Sequence, residues 1–539
     1  MSTTSNATTS LARVASNPVW APKDEASAKN AGKAVTAFLD VATTSFGRAT
    51  AYNTRLEQQD AELKVHDALM GASRDIYSIL MGLDGLTDRA RQIGLKKLLS
   101  THREKDEFLS GDVEREILYV LLHELPPQRM LKLLDALRVG NEELGIKKAN
   151  NARARKLILR TLLASPRLQF WSVKYRSKVA GALTHAWGKR LTSIIRSILS
   201  KDPTTRTALD NEILASNIAK YAAKDKDVAR LTVALQSVGF VLGVRDRLTL
   251  PIFKAFVEAK KDLSKGGKLP PEVLEGLRGT YHKDVPKERI LELTKDDLTS
   301  GQKIAVQKRA KAAGVEVKVE QDDMLAQDAT RLYVYAFETG MTAEIRAALD
   351  KKAERSAAQF PAKYGSVAII VDASGSMAGD KTQKLRPMAA TLALRDMLAK
   401  TSEKAMVLLA GGQEGERGLV RPSGDTSLAD GLVDALCTNP DVVFVLSDGY
   451  ENAPAGRFAE VVDQVRELGV KTPIYHLNPV MAAEAQGVRQ LAEGKVPTLP
   501  ARDASTLGPG MLRGLIEADP VKGVNALIRM VLSERKSIT

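Results

Sequence analysis

The sequence predicts a multidomain protein in which an all-α region precedes an α/β region with a mostly parallel, Rossmann-like sheet. Two patterns support this prediction. Over about residues 31–355, apolar residues recur every three or four positions, which is typical of amphipathic helices. After about residue 361, short apolar runs rich in β-branched residues alternate with helical segments, which is typical of a parallel sheet covered by helices.

The predicted helical region spans 31–355 and follows a tail, 1–30, that we expect to be flexible. Its helical segments include ALMGASRDIYSILMGL, VEREILYVLLHEL, RMLKLLDALRV and ARKLILRTLLA. Glycine, asparagine and proline residues separate the helices and leave short connections. Such helices bury their apolar stripes by packing on one another, so we predict HEAT-like stacked helix pairs, although the sequence shows no strict period.

The predicted α/β domain spans 362–539. Its candidate strands are SVAIIVD, KAMVLLAGG, DVVFVLSDG and TPIYHLN. The segments predicted to form helices after them are LRPMAATLALRDMLAK, TSLADGLVDAL, RFAEVVDQVRELG and AAEAQGVRQLAEG. In open parallel sheets the ligand site lies at the carboxyl ends of the strands, so we expect function-bearing residues there.

Composition restricts the classes of function. The 539 residues include a single cysteine, Cys437, which gives no internal disulfide and no thiolate metal cluster. No apolar run approaches the roughly 20 residues of a membrane helix, and the first residues lack the apolar core of a secretory signal. We therefore expect a cytoplasmic protein without a membrane partner.

The positive charge is concentrated in one segment. The chain carries a formal net charge of +14, and no acidic residue lies between Glu143 and Asp202, where 14 lysines and arginines occur. Such a segment indicates a polyanionic partner, and nucleic acid is favoured over a membrane because no apolar anchor accompanies the charge.

Two rows of basic residues in this segment have helical spacing. Lys174, Lys178, His185, Lys189 and Arg196 fall on one stripe of a single predicted helix, although Gly181 and Gly188 leave two shorter helices possible. Arg153, Lys156 and Arg160 form the second row. Because the segment has no acids to form the usual i, i+4 pairs, these eight residues are predicted to bind RNA phosphates rather than to form an ordinary solvated helix face.

Oxygen-bearing side chains follow the candidate strands. Asp372, Ser374 and Ser376 occur in VDASGSMAG, Thr426 occurs in SGDTSLADGL, and Asp448 occurs in VVFVLSDG, after the apolar run VVFVL. Carboxylates and hydroxyls are the ligands that Mg²⁺ prefers, so we predict a site for Mg²⁺ or another divalent cation, with Asp425 as an alternative to Thr426. The alternative interpretation is that these residues only cap a helix and turn a loop.

These three segments resemble the metal-ion-dependent adhesion site of von Willebrand factor A domains. The resemblance covers about residues 362–539 and implies that Ser374 and Ser376 coordinate the metal directly. It further implies that Asp372 and Asp448 act largely through water, and that Thr426 joins when a ligand is bound. A carboxylate or another oxygen of a partner protein would complete the coordination.

A basic helical region followed by such a domain resembles the Ro family, also called TROVE-domain proteins. This resemblance implies a non-catalytic scaffold that binds small, structured Y-like noncoding RNAs or the ends of misfolded RNAs. It also implies a 3′ exonuclease as a protein partner, and the metal site would suit this or another acidic protein.

Two other functions are compatible with parts of the sequence. The chain could be a protein-interaction module that grips an acidic partner without RNA, or a phosphotransfer enzyme with Asp372 as the nucleophile. The second is disfavoured because Ser374 stands where such chemistry favours a second carboxylate. The histidines show no ligand spacing and no catalytic motif is visible, so we expect no enzymatic activity.

Overall fold

The computed structural model describes residues 20–45, 54–104, 107–140, 148–222, 227–359, 363–379, 385–451, 454–479, 490–501 and 504–534. These residues form two compact units. Unit 1 contains the described residues up to Ile93, the segment 107–113 and the described residues from Val319 onward. Unit 2 contains the described residues of 94–106 and 114–318. The predicted helical region is thus divided between the two units.

Helices form almost all of the regular structure before residue 319. They are α1 (Glu25–Ala42), α2 (Arg55–Ala72), α3 (Arg74–Leu80), α4 (Asp88–Ser100), α5 (Gly111–Glu124), α6 (Pro127–Val139), α7 (Ala152–Leu163), α8 (Leu168–Lys174), α9 (Arg176–Ser200), α10 (Ala208–Leu214), α11 (Lys220–Ala222), α12 (Val228–Val241), α13 (Pro251–Glu258), α14 (Pro271–Tyr281), α15 (Glu288–Thr294) and α16 (Ser300–Ala312). A π-helical turn, Ala215–Ala219, separates α10 from α11. In the described part of the chain, no helix is both long and apolar enough to cross a membrane.

Helix α7 shows how the sequence specifies these elements. The side chain of Asn151 accepts a hydrogen bond from the Ala154 backbone N–H at 2.8 Å and so caps the first turn. Leu157, Ile158 and Leu162 share one face of the helix because of its 3.6-residue period, and all three are buried. The long helix α9 packs against α6, α7 and α12, so unit 2 buries its apolar residues by packing helix on helix, as predicted.

The helices after residue 319 belong to unit 1. They are α17 (Gln321–Leu325), α18 (Ala329–Thr339), α19 (Ala343–Gln359), α20 (Arg386–Ala399), α21 (Leu428–Cys437), α22 (Arg457–Glu467), α23 (Ala504–Ala518) and α24 (Pro520–Glu534). Short 3₁₀ helices over both units are Pro203–Thr205, Leu263–Gly266, Lys295–Asp297, Gly375–Ala378, Glu416–Gly418 and Ala492–Gly494.

Unit 1 contains a five-stranded parallel sheet, which confirms the predicted α/β architecture. The strands of the chain are β1 (Tyr364–Asp372), β2 (Ser402–Ala410), β3 (Gln413–Glu414), β4 (Val420–Arg421), β5 (Val442–Leu446), β6 (Ile474–Asn478) and β7 (Thr498–Pro500). The order in the sheet is β2-β1-β5-β6-β7, and β3 pairs with β4 in a separate antiparallel ribbon. Strand β2 lies on one side of β1, and β5, β6 and β7 lie on the other. In open parallel sheets, ligands usually bind in the crevice at the carboxyl ends of the strands where the strand order reverses in this way.

The apolar runs of β1 and β5 form strands because both of their faces are covered, whereas β2, at the edge of the sheet, has no buried residue. The residues from Val367 to Asp372 in β1 and all residues of β5 are buried. Helices α21 and α22 contribute Leu432 and Phe458 to a core with Ile370 and Val445. Helix α20 also packs against β1 and β2. The predicted strands and the first three predicted helices are confirmed, whereas most of the fourth, 482–494, lies outside the described residues.

Helices that precede the first strand and helices that follow the last strand in the chain also belong to the sheet-containing unit. Helix α1 packs against α23 and α24, and α18 and α19 pack against α20. Asn525 of α24 accepts a hydrogen bond from the Trp20 backbone N–H and donates one to the Trp20 carbonyl, both at 2.9 Å. Residues that the sequence pattern assigns to the helical region, and Trp20 of the predicted tail, therefore contribute to the sheet-containing unit.

A buried ionic cluster fixes α18 and α19 to α20. Asp396 accepts hydrogen bonds from the Tyr333 hydroxyl and from the guanidinium groups of Arg346 and Arg395. Burial would raise the pKa of Asp396, but the two guanidinium groups outweigh it and lower that pKa overall. The carboxylate is therefore ionised and compensates both buried cations.

We expect Asp396→Asn to lower the free energy of unfolding by about 3 kcal/mol, because it leaves two largely buried guanidinium groups without their shared anion. Urea denaturation followed by circular dichroism measures the change. The control is Asp434→Asn, which neutralises an exposed carboxylate on α21 and should cost less than about 0.5 kcal/mol. Equal effects of the two substitutions would contradict a stabilising role for the cluster.

Candidate functional site

The predicted metal-binding residues lie at the carboxyl edge of the sheet. Asp372 is the last residue of β1, Asp448 follows the neighbouring strand β5, and Thr426 directly precedes the N-cap of α21. Because β1 and β5 are adjacent and parallel, their carboxyl ends lie side by side. The fold thus brings together segments that are more than 70 residues apart in sequence.

Asp372 is the centre of this group. Its side chain is fully buried, and its Oδ1 accepts hydrogen bonds from the Ser374 backbone N–H at 2.9 Å and from the Thr426 hydroxyl at 3.4 Å. Its Oδ2 accepts a hydrogen bond from the Ser447 hydroxyl at 2.7 Å. One carboxylate therefore holds three loops in place, because a buried charge requires such partners.

Ser374 and Ser376 present hydroxyl oxygens next to this carboxylate. Their Oγ atoms are 2.9 Å apart; Ser374 is buried, whereas Ser376 is exposed. Neighbouring ligands of an octahedral Mg²⁺ ion lie about 2.1 Å from the metal and hence about 3 Å from each other. The spacing of the two hydroxyls fits neighbouring positions of such an octahedron.

The remaining two predicted ligands are also largely buried. Thr426 is 3% exposed and bonded to Asp372, whereas its alternative, Asp425, is exposed, so the structure favours Thr426. Asp448 is 5% exposed; its Oδ1 accepts a hydrogen bond from the Tyr450 N–H, and its carbonyl accepts one from the Asn478 amide. These bonds fix the direction of the loop after β5.

The donor set fits a hard cation. The group consists of carboxylates and hydroxyls, which suit Mg²⁺, and contains neither the imidazole nor the thiolate that zinc favours. Within the described ranges, no three His, Cys, Asp or Glu side chains are grouped to hold a metal. A cation here would therefore depend on the serine and threonine hydroxyls as well as on the two carboxylates.

Sequence reasoning did not identify Ser447 or the glycines that make room for the loops. Ser447 bonds to Asp372 and also accepts the Gly449 N–H at 3.1 Å. Gly411 has a φ of +72°, and a Cβ there would lie 2.5 Å from Cγ2 of Thr426. The available signals were the serine beside Asp448 and the glycine pair that directly follows the strand β2.

His476 supports this edge of the sheet from within. Its Nε2 lies 3.0 Å from the Ser447 carbonyl, and its Nδ1 lies 2.9 Å from the Thr498 hydroxyl and accepts the Leu491 N–H. These contacts define a neutral ring that donates from Nε2 and accepts at Nδ1. Burial lowers the pKa of His476 to about 4, which keeps the ring neutral at pH 7.

Three of the predicted RNA-binding cations are paired with acids of unit 2. Arg153 contacts the buried Glu114 at 2.6 Å, Arg160 contacts Glu116 at 2.5 Å, and the Lys174 ammonium lies 2.8 Å from Glu272. The expectation that this segment lacks compensating acids is therefore wrong for these three residues. Their partners lie 39 to 98 residues away in sequence, and each pair joins two separate helices.

The predicted single stripe from Lys174 to Arg196 is also wrong. Lys174 ends α8, and Tyr175 has non-helical dihedral angles, so the next helix begins at Arg176. Gly188 has φ +78° and ψ 159° and kinks α9, which confirms the alternative of two shorter helices at that glycine. His185 lies before the kink, with its Nε2 3.0 Å from the Ala149 carbonyl.

The other predicted cations remain open to solvent. Lys156 on α7 and Lys189 and Arg196 on α9 are exposed, and Lys178 is half-buried. Among the described residues, none of these four makes an ion pair with a carboxylate. Helices α7 and α9 pack against each other, so unit 2 carries these unpaired charges on two neighbouring helices.

Among proteins of known structure, this chain is similar to a Ro protein. No protein-family model matches the sequence. No curated protein matches it either. The crystal structure of the Deinococcus radiodurans Ro (RSR) protein aligns with 91% of this chain and 100% of its own, at 16% sequence identity and a TM-score of 0.40. A similarity of this extent does not by itself assign a function.

We expect the stability of the protein to fall as the pH is lowered from about 6.5 towards 4, because His476 is protonated more readily in the unfolded chain than in the folded protein. The contribution of this one group is at most about 1.4 kcal/mol per pH unit. Urea denaturation of the wild type and His476→Asn at several pH values isolates it. Identical pH slopes would contradict the neutral buried ring.

Proposed function

We propose that the protein is a non-catalytic RNA-binding scaffold. The observation that carries this proposal is the set of solvent-accessible cations on α7 and α9 that lack carboxylate partners among the described residues: Lys156, Lys178, Lys189 and Arg196. When unpaired cations of a protein contact phosphates, they displace the counterions condensed on the nucleic acid. The release of these counterions favours polyanion binding. Arg153, Arg160 and Lys174 act in our proposal as supports of this surface, since their charges are compensated.

RNA is the polyanion that fits best. Phosphate contacts give affinity without sequence choice, so shape and single-stranded ends are the features that such a surface distinguishes. The sequence resemblance to the Ro family, with HEAT-like helices and a von Willebrand A domain, favours Y-like or misfolded RNA. The same resemblance favours a 3′ exonuclease as a protein partner.

We further propose that the edge of the sheet binds Mg²⁺ as an accessory partner site. Ser374 and Ser376 would hold the ion directly, with Thr426, Asp372 and Asp448 around it. When bound, the ion supplies a positive charge with an open position for an oxygen of an acidic partner. The exposed Ser376 marks the side from which such a partner approaches.

Reversing three charges tests the RNA surface. We expect Lys178→Glu/Lys189→Glu/Arg196→Glu to weaken binding of a structured RNA with a single-stranded end by more than tenfold. The plot of log Kobs against log salt has a negative slope. The magnitude of this slope should decrease by about 2 to 3, since each lost phosphate contact reduces it by about 0.9. Fluorescence anisotropy over a range of salt concentrations measures both quantities.

The matched control is Lys308→Glu/Lys311→Glu/Lys318→Glu, which reverses three exposed lysines on and after α16. It should retain RNA affinity more fully than the first variant. Folded variants with equal affinities would reject the surface assigned to α7 and α9. Copurification of a stoichiometric acidic protein, in place of nuclease-sensitive material, would favour the protein-interaction alternative.

Calorimetric titration with Mg²⁺ tests the metal site. We expect Ser374→Ala/Ser376→Ala to weaken Mg²⁺ binding by at least about tenfold, because it removes two of the oxygen ligands. Ser423→Ala is the control, since Ser423 forms hydrogen bonds through its backbone N–H and carbonyl, which the substitution retains. Unchanged affinity in the double variant, or no Mg²⁺ binding by the wild type, would reject the site.

A further inference from the structure

An aromatic cluster in unit 2 carries cations that the proposed RNA surface does not use. The rings of Phe240 and Phe253 stack with their centroids 4.5 Å apart, and Phe256 meets Phe240 edge-on at 5.1 Å. These residues come from α12 and α13, and Phe240 and Phe253 are fully buried. The cluster is therefore a rigid support for the side chains above it.

Three cations surround this cluster. The guanidinium carbon of Arg176 lies 5.6 Å from the Phe256 centroid, and the ammonium of Lys260 lies 5.4 Å from the same centroid. The guanidinium carbon of Arg245 lies 4.3 Å from the Phe240 centroid. Cations at such distances interact favourably with aromatic rings, which holds them in position without neutralising their charge.

These cations lack acidic partners in the described part of the chain. Arg245 donates hydrogen bonds to the carbonyls of Phe240 and Val244, which satisfy polar N–H groups but carry no charge. Burial lowers the pKa of Arg245, and the nearby Arg176 lowers it further. The mutual repulsion of two guanidinium groups indicates that a complementary anion would be favourable here.

We infer that Arg176, Arg245 and Lys260 form a binding site for a phosphomonoester. A phosphomonoester carries about −1.5 to −2 charges at pH 7, whereas an internal phosphodiester carries only one, so a group of three cations favours the former. Guanidinium groups also bind phosphate oxygens through paired, charge-assisted hydrogen bonds. This site would hold one phosphate group with three cations. The proposed RNA surface is different, because Lys178, Lys189 and Arg196 are suited to separate contacts along a phosphate backbone.

An exposed aromatic ring lies next to the phosphate site. The ammonium of Lys260 is 5.7 Å from the ring centroid of Tyr281, which is 53% exposed. A base attached to the bound phosphate can stack on such a ring. The ligand class is therefore a nucleotide with a terminal phosphate, and its identification as an RNA end rests on the function proposed above.

The test compares short oligouridines that differ only at one end. Each carries a fluorescein label at the opposite end and has either a terminal phosphate or a hydroxyl, in separate 5′ and 3′ series. We expect the terminal phosphate to tighten binding by about tenfold at one of the two ends. Arg176→Gln/Lys260→Gln should lose this preference and keep the affinity for hydroxyl-ended RNA.

The matched control is Lys254→Gln/Lys261→Gln, which removes two exposed charges from the same part of the chain and should retain the preference. Equal affinity of the wild type for phosphate and hydroxyl ends would overturn the inference, as would a preference that survives in Arg176→Gln/Lys260→Gln. Ligand-observed NMR with uridine monophosphate and uridine separates this site from the proposed RNA function. Selective binding of the monophosphate supports the site even if no RNA binds, and equal signals for the two compounds reject it.

Discussion

The buried carboxylate of Asp372 is the constraint on which the sheet edge depends. A charge with no access to solvent must be satisfied by donors of the protein, and Asp372 takes them from three separate loops. The Ser374 N–H, the Thr426 hydroxyl and the Ser447 hydroxyl are positioned by this one requirement. The Ser374 N–H anchors to this carboxylate the loop on which the two serine hydroxyls lie, 2.9 Å from each other.

Charge has two different roles in unit 2, and burial distinguishes them. Glu114 is fully buried and lies between Arg103 and Arg153, so these arginines compensate an interior charge and hold helices together. Lys189 and Arg196 are exposed, and the Arg176–Lys260–Arg245 group contacts aromatic rings rather than acids. A count of basic residues in the sequence does not separate the two roles, whereas the position of each partner does.

The sequence allowed the sheet and the polar residues at its carboxyl edge to be predicted because both depend on local patterns. An apolar run such as VVFVL forms a strand covered on both faces, and the polar residues after it must lie at the strand end. The pairing of basic residues is non-local: Arg153 is 39 residues from Glu114, and Lys174 is 98 residues from Glu272. The kink in α9 also depends on tertiary structure, since Gly181 continues the helix and Gly188 breaks it.

The proposed cation would change the charge of the partner group that this edge of the sheet attracts, from positive to negative. Asp372 and Asp448 are largely buried and Asp425 is exposed beside them, so the residues alone repel an incoming carboxylate. A divalent cation held by Ser374 and Ser376 would offset these charges and would leave a coordination position for an anionic oxygen. Since Ser376 is exposed while Ser374 is buried, an acidic partner would reach a cation held by the two serines from the Ser376 side. The proposed partner binding at this edge should therefore require the metal, whereas the proposed phosphate binding by the cations of unit 2 should not.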